Sequence, residues 1–573
     1  MNEPRAAGAP PSSRPSRVDR AWILAATCLI LAHAAWQVWQ VVAAPIPLRY
    51  DYDEGVYAET AAAAARGRRL YTDVFLSQPP VFILAMRAIF PVAGASLVSA
   101  RCAAVLFSTI WPLALMALLS SAGRPRAGAI AAVSLLGTPA FVKMGHTVEL
   151  EIPGEALACI ALALAVRATR GGGISGWTAG GAVAVLAAMT KLTAATCAVP
   201  FLLAVASGGK AGAGRRLLAA GAGAALAAAF LLPFIGAPGF REQVLVFHLA
   251  LARLPEVVAL DKGAVVGGFL AVQWPLAAAA MLGVILAAAR GGWLERAAVA
   301  WLAADAIVFS VLAPLWEHHL VAALSPLALL AGTGLERAIG MAMRLRRPAR
   351  WGMAAVALCA VVIYLRSGAS SAQPPTASPA LRAAVAQIAA AVPPDGQVLT
   401  DDPMLPFLAR RPVVDRLIDT SLTRIWSGQI AEAGLAAALA AGHTDAAVFW
   451  RGTFHDYFPR LEAAAAARFR DRIETRPGRV LFLNRTRGSA RPTVSSLLPV
   501  APPQDADRCR GSAEIQEIQR KCRGSSGGKL RSRGGHAARA DRGGCAALVQ
   551  APFCARFGYP EKAPEKWSDA CPL

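Results

Sequence analysis

Between residues 21 and 364 the chain is a succession of apolar runs of bilayer-spanning length, separated by short loops that carry most of the arginines. A helical span needs about 20 mostly apolar residues, and a single soluble core cannot absorb so many of them. Of the 573 residues 55% are hydrophobic and 16% charged, the make-up of a polytopic, mainly α membrane protein. A net charge of +22 in a soluble domain would suggest nucleic acid. Here the cations lie between apolar runs, as in cytoplasmic loops, so no nucleic-acid partner is expected. The ten cysteines show no paired CxxC spacing, and neither a zinc site nor a disulfide framework follows.

Keeping each arginine-rich loop on one side gives a topology of about eleven spans. Residues 1–20 are expected to be disordered and cytoplasmic, 21–44 to form an uncleaved first helix, and 45–96 an external loop. Within that loop 81–92 is too short to span and reads as a juxtamembrane or re-entrant helix. Further spans are expected at 97–119, 127–142, 156–166, 217–235, 264–289, 297–312, 320–335 and 351–364. The stretch 177–206 would, as one helix, put the basic residues 210–216 outside. A hairpin is therefore predicted, 177–189 out and 192–206 back, with Lys191 at the turn. Residues 21–366 thus form a transmembrane domain. Residues 367–486 mix helical and strand-like segments, as in a small extracytoplasmic α/β domain. The Gly/Arg-rich tail 487–573 has no apolar face and is expected to be disordered.

The loop after the first helix concentrates acids where the chain is about to return to lipid, a place where an ionisable group is costly. Asp51 and Glu54 have the spacing of a capping box for the alanine-rich helix that stops at Gly67. That leaves Asp53 without a structural reason. A second external loop carries His146, Glu149, Glu151 and Glu155, a long third one at 236–263 carries Arg241, Glu242, His248, Arg253, Glu256, Asp261 and Lys262, and a fourth carries Glu317, His318 and His319. The charges of the third could grip a ligand or simply face water.

The run Tyr52-Asp53-Glu54-Gly55-Val56-Tyr57-Ala58-Glu59, followed by Gly67, Leu70-Tyr71, Asp73 and Gln78-Pro79-Pro80, resembles the first external loop of the GT-C glycosyltransferases. It is most similar to the protein O-mannosyltransferase and lipid A aminoarabinose transferase lineage. The resemblance implies an inverting transfer of a sugar from a polyprenyl-phosphate carrier to a lipid, glycan or protein acceptor. The reaction would run on the external face of the plasma (inner) membrane. Asp53 would act as general base, with Glu54 beside it in the catalytic loop. Met189-Thr190-Lys191 is similar to a Leu/Met-Thr-Lys segment of the family. On its own Lys191 reads as a snorkelling side chain; with the resemblance it becomes a holder of the carrier phosphate.

Further candidates for substrate binding are Tyr57, Arg66, Arg101, Glu149, Glu151, His318 and His319, with Arg68 as another cation. Carboxylate and imidazole also suit Mg, Mn or Zn, so a divalent cofactor on Asp53 and His318 stays open, as does its absence. For the histidines a hydrogen-bonded interfacial pair is the plain alternative, and Glu155 reads equally as a first-turn helix residue. In the segment 400–428, which resembles external domains of bacterial GT-C proteins, Asp401, Asp402, Asp419 and Arg424 face either the site or a turn. Two other function classes fit the same charges: a transporter or flippase, whose pathway they would line, and a lipid-binding scaffold without turnover.

Overall fold

The computed structural model describes residues 16–46, 50–171, 173–207, 210–344, 378–476 and 478–484. The expected last span at 351–364, the first fifteen residues and the tail 487–573 lie outside the described residues. Ten helices lead from the first span to the middle of the bundle: α1 (Arg17–Ala43), α2 (Tyr52–Ala65), α3 (Val81–Ala93), α4 (Leu97–Ser121), α5 (Pro125–Leu136), α6 (Pro139–Met144), α7 (Glu151–Thr169), α8 (Gly173–Ala188), α9 (Ala198–Ser207) and α10 (Lys210–Ile235). After two short turns, α11 (Phe247–Leu251) and α12 (Pro255–Val258), come α13 (Lys262–Val272), α14 (Trp274–Arg290), α15 (Trp293–Val311) and α16 (Leu324–Ala342).

Five stretches among the described residues are long and apolar enough to cross a bilayer alone: Arg17–Ala43, Leu97–Ser121, Glu151–Thr169, Gly212–Ile235 and Glu317–Ala342. Several of the expected spans are shorter or broken. The expected span at 127–142 is two helices, α5 and α6, because Pro139 opens α6 with Thr138 as its cap and proline has no N–H with which to continue the hydrogen bonds of α5. The expected span at 264–289 bends by 89° between α13 and α14, where Pro275 stands in the first turn of α14. The first helix begins at Arg17, capped reciprocally by Ser16 and Asp19, so it starts inside the segment expected to be disordered.

The predicted hairpin is present. α8 ends at Ala188, Lys191 is extended, and a 3-10 turn, Leu192–Cys197, leads into α9. The Trp177 and Phe201 rings meet edge to face at 6.1 Å, whereas a straight helix would hold them about 36 Å apart. The arginine loops gather at the other end of the bundle. Arg124 binds Glu295 and Glu336, Arg337 binds the same Glu295, and Arg126 binds Asp19. Val81–Ala93 is short, buries Phe82, Ile83, Met86 and Phe90, and exposes Val92, as a helix lying at the interface would.

Residues 379–483 form the α/β segment. Its four strands, β1 (Gln397–Thr400), β2 (Thr444–Phe449), β3 (Asp471–Arg476) and β4 (Arg479–Leu483), make one sheet in the order β1-β2-β4-β3. Only β1 and β2 are parallel. The segment packs on the first loop: Met404, Phe407, Val413 and Ile418 share a core with Val56, Tyr57, Tyr71 and Phe82. Gly55 makes that approach feasible, since a β-carbon there would stand 2.8 Å from the Met404 backbone nitrogen.

Small residues set the α8–α10 contact in the same way, as they do between helices in lipid. A β-carbon at Gly181 would lie 2.1 Å from the Ala220 carbonyl oxygen, and one at Gly223 would run into the Thr178 carbonyl. Gly181→Leu and Gly223→Leu are therefore each expected to cost about 1–3 kcal/mol, read as a lower melting temperature of the purified protein in detergent. Leucine at the open Gly221, where nothing lies near, is expected to leave it unchanged.

Candidate active site at the α2 N-terminus

Asp51 accepts the Asp53 backbone N–H at 3.0 Å and caps α2. The expected reciprocal half of the capping box is not made, because Glu54 is used elsewhere. Its carboxylate takes both Arg101 donors, Nε at 2.7 Å and Nη2 at 2.6 Å, and also accepts the Val148 N–H at 3.0 Å. Both side chains are almost fully buried, 0% exposed for Glu54 and 7% for Arg101. This bidentate pair ties α2 to α4 and to the second loop. Glu54 and Arg101, expected beside the chemistry, have their charges committed to each other.

Arg66 has a similar fate. It binds the buried Glu59 at 2.6 Å, and Glu59 also accepts the Val413 N–H at 3.3 Å. Arg68 binds Asp415 at 2.9 Å. Arg68 and Glu59 thus hold the first loop to the α/β segment, with Arg66 balancing the Glu59 charge. Tyr50 donates to Asp402 at 2.8 Å, and the Tyr52 hydroxyl accepts the Thr420 N–H at 2.6 Å. From the bundle side the Val81 N–H donates to the Met189 carbonyl at 3.0 Å, bringing the hairpin turn against the loop.

Lys191 then reaches Glu151 at 2.7 Å, both side chains being nearly or fully buried. His318 Nε2 lies 3.9 Å from the same Glu151 oxygen. The His318 and His319 rings stand edge to face at 4.4 Å, and His319 Nδ1 accepts the Trp316 N–H at 3.2 Å. Asp53 is half-buried at the mouth of this group, within electrostatic reach of Asp51, Lys191, Asp419 and Glu151. Burial first and then the Asp51 carboxylate raise its pKa, while the Lys191 ammonium opposes them. Part of its surface stays open, so the rise is smaller than full burial would give. Glu149, one oxygen of which has no hydrogen-bond partner, is raised by burial and then by Asp51. Tyr57 lies buried among Asp53, Glu149, Glu151 and Asp419. Asp53, Tyr57, Glu149, Glu151, Lys191, His318 and His319 are thus brought together at one end of the bundle.

The other candidates are placed elsewhere. His146 lies within electrostatic reach of Arg101 and His33. Glu155 lies inside the bundle, where it accepts the Ser325 hydroxyl at 2.5 Å. Glu317 makes an exposed pair with Lys143 at 3.7 Å. In the third loop Arg241 and Glu242 face water at 3.8 Å from each other, and Asp261 caps α13. Its uncharged Gln243 is the strap: it donates to the Tyr71 carbonyl at 2.8 Å and accepts the Leu76 N–H at 2.9 Å, while His248 contacts the Ser77 carbonyl at 2.9 Å. Asp401 accepts the N–H groups of Trp450 and Arg451 at the end of β2, and Arg424 is spent on the Arg416 and Asp419 carbonyls. Asp419 does reach the site. Sequence reading passed over Arg451, which lies 3.9 Å from Asp402 and 5.1 Å from the Tyr52 ring centre. No local signal pointed to it, since only the pairing of β1 with β2 brings the residue there.

For a divalent ion, Glu151, His318 and His319 offer donor atoms all within 4.8 Å of one another. One carboxylate and two imidazoles suit zinc. Asp53 stands outside this trio, and the Lys191 ammonium already neutralises Glu151, so the donors fit an ion once Lys191 turns away.

The profile of the dolichyl-phosphate-mannose-protein mannosyltransferase family matches residues 77–236. No curated protein matches the chain. Among solved structures, ArnT from Cupriavidus metallidurans bound to undecaprenyl phosphate is similar with a TM-score of 0.58 at 19% identity, covering 81% of this chain and 98% of that one. The oligosaccharyltransferase of Archaeoglobus fulgidus tethered to an acceptor peptide is similar with a TM-score of 0.51 at 12% identity, covering 78% and 71%. The fold is that of the GT-C membrane glycosyltransferases.

A structural role for the Glu54–Arg101 pair has a distinct signature. Glu54→Leu or Arg101→Met alone strands a buried charge and is expected to cost about 3–5 kcal/mol, while the two together cost less. Melting temperatures of the three variants read this; a double variant less stable than either single one would contradict it.

Proposed function

From this GT-C fold and the group of charges at the α2 N-terminus, we propose that the chain is a membrane glycosyltransferase that takes a sugar from a polyprenyl-phosphate carrier and inverts the anomeric centre. The observation that carries the reading is the placement of a half-open carboxylate, Asp53, and a buried ammonium, Lys191, at one end of the helical bundle. A lipid-borne donor enters such a mouth sideways from the bilayer. The acceptor is a hydroxyl or amine of a lipid, glycan or protein, and the mouth faces the outside of the plasma membrane.

In a single displacement the acceptor atom attacks the anomeric carbon as its proton passes to the Asp53 carboxylate. The bond from that carbon to the phosphate oxygen breaks with its electron pair, and the polyprenyl phosphate leaves. Lys191 meets the growing negative charge as a point cation. Glu151 holds the ammonium in place, and an N–H of His318 donates to the phosphate at the same spot. Glu54 and Arg101 act one step back, fixing the helix turn that bears Asp53. A divalent ion held by Glu151, His318 and His319 would supply Lewis-acid stabilisation of the leaving phosphate.

The transport reading has one feature in its favour, the 89° break between α13 and α14. Broken helices in transporters carry their charges at the break near the midplane. Here uncharged Gln273 occupies the break, and the acids around Asp53 cluster at the bundle's end.

Membranes containing the protein, incubated with labelled polyprenyl-phosphate sugars, are expected to yield labelled product. Asp53→Asn is expected to lower the rate about 10²–10⁴-fold while leaving binding of undecaprenyl phosphate intact, and Lys191→Met to weaken that binding. Equal rates with Asp53→Asn would remove it as the base. Because the base works ionised and its pKa is raised, kcat/KM is expected to climb with pH above the ordinary carboxylate range of about 4 before levelling. Asp51→Asn, which keeps the helix cap but removes the repelling charge, is expected to move that climb to lower pH.

A further inference from the structure

At the opposite end of the bundle from Asp53, a cavity of about 390 Å³ opens between the ends of α4, α7, α15 and α16. Arg124, Arg170 and Arg337 line it together with Trp293, Thr169 and a single carboxylate, Glu295. Both Arg124 and Arg337 bind one Glu295 oxygen at 2.5 Å, and the other oxygen accepts the Gly292 N–H at 3.0 Å. Glu336 adds a second carboxylate on Arg124. Three cations therefore face two anions. Arg170 carries the excess, since it donates to the neutral Ala122 carbonyl at 2.6 Å. The first turn of α15, a helix of 19 residues, also opens into the cavity at Gly292, Trp293 and Leu294. Beyond the Gly292 N–H that Glu295 takes, the first-turn N–H groups that have no partner within the helix, and the positive end of its dipole, favour an anion.

We propose that this cavity binds a phosphate-bearing anion, with Arg170 and the start of α15 as its principal holders and the arginine-bound Glu295 as the rigid floor. A cavity of this volume takes a phosphate with a polar headgroup around it. Its place at the end of the spans suits the headgroup of an anionic phospholipid in the nearer leaflet. Trp293 at the rim is the residue type that settles at the headgroup level. The helices it joins include α4, which bears Arg101, and α7, which bears Glu151 and Glu155. Occupancy would brace the bundle that holds the distant acidic mouth, and the site itself stands without the transferase reading.

The test is the melting temperature of the full chain in a neutral detergent with phosphatidylglycerol, phosphatidylcholine or inorganic phosphate added. Phosphatidylglycerol is expected to raise it by on the order of 3 °C and phosphatidylcholine to leave it unchanged. A rise with inorganic phosphate as large as that with the anionic lipid would support the site and make free phosphate its ligand. Arg170→Gln, at an exposed position that leaves the Glu295 floor intact, is expected to fold with an unchanged baseline and to lose at least half of the rise. Equal rises with both lipids, or a full rise in Arg170→Gln, would overturn the proposal.

Discussion

Everything at the acidic mouth is hung from one buried ion pair. Glu54 and Arg101 give up water for each other, a loss that only a bidentate geometry and a third hydrogen bond can offset, and all three contacts are present at 2.6–3.0 Å. Because the Val148 N–H is the third partner, the pair joins three pieces of chain at once: the start of α2, the start of α4 and the loop leading to Glu149 and Glu151. Asp53 is the next residue along from the anchored one. It is held at the mouth without using its own carboxylate, which leaves that group free for chemistry.

Around this anchor the charges divide between those that build and those that remain available. Arg68, Arg424 and Asp401 are each taken up by a carbonyl, an N–H or an opposite charge in the α/β segment, and Arg66 by Glu59 of α2. That segment is consequently a wall of the site: Tyr50 and Tyr52 hydrogen-bond into it on the very residues that precede Asp53. What remains is an acid-rich group with one central ammonium. Glu151 is shared by Lys191 and His318, so the carboxylate fixes the ammonium at the spot where an arriving phosphate would meet it.

Much of this architecture was legible in the sequence. The hairpin around Lys191 followed from keeping the arginines on one side, and Arg124, Arg337 and Glu295 do meet at one end of the bundle. The helix cap at Asp51 and a helix at Val81–Ala93 too short to span a bilayer were also readable. Pairings over long sequence separations were not. Nothing in the local pattern says that Glu54 will choose Arg101, 47 residues away, over its own helix N-terminus. Span lengths misled for a related reason: hydropathy counts apolar residues, whereas Pro139 and Pro275 decide where a helix can continue. Arg451 was missed because only the pairing of β1 with β2 brings it beside Asp402 and Tyr52.

The most direct test is a map of the full chain in lipid with undecaprenyl phosphate added. The account predicts the phosphate within hydrogen-bonding distance of the Lys191 ammonium, its prenyl tail leaving between helices toward the bilayer, and the Asp53 carboxylate facing the open side of the phosphate. A phosphate bound away from Lys191, or Asp53 sealed off from it by protein, would contradict the account.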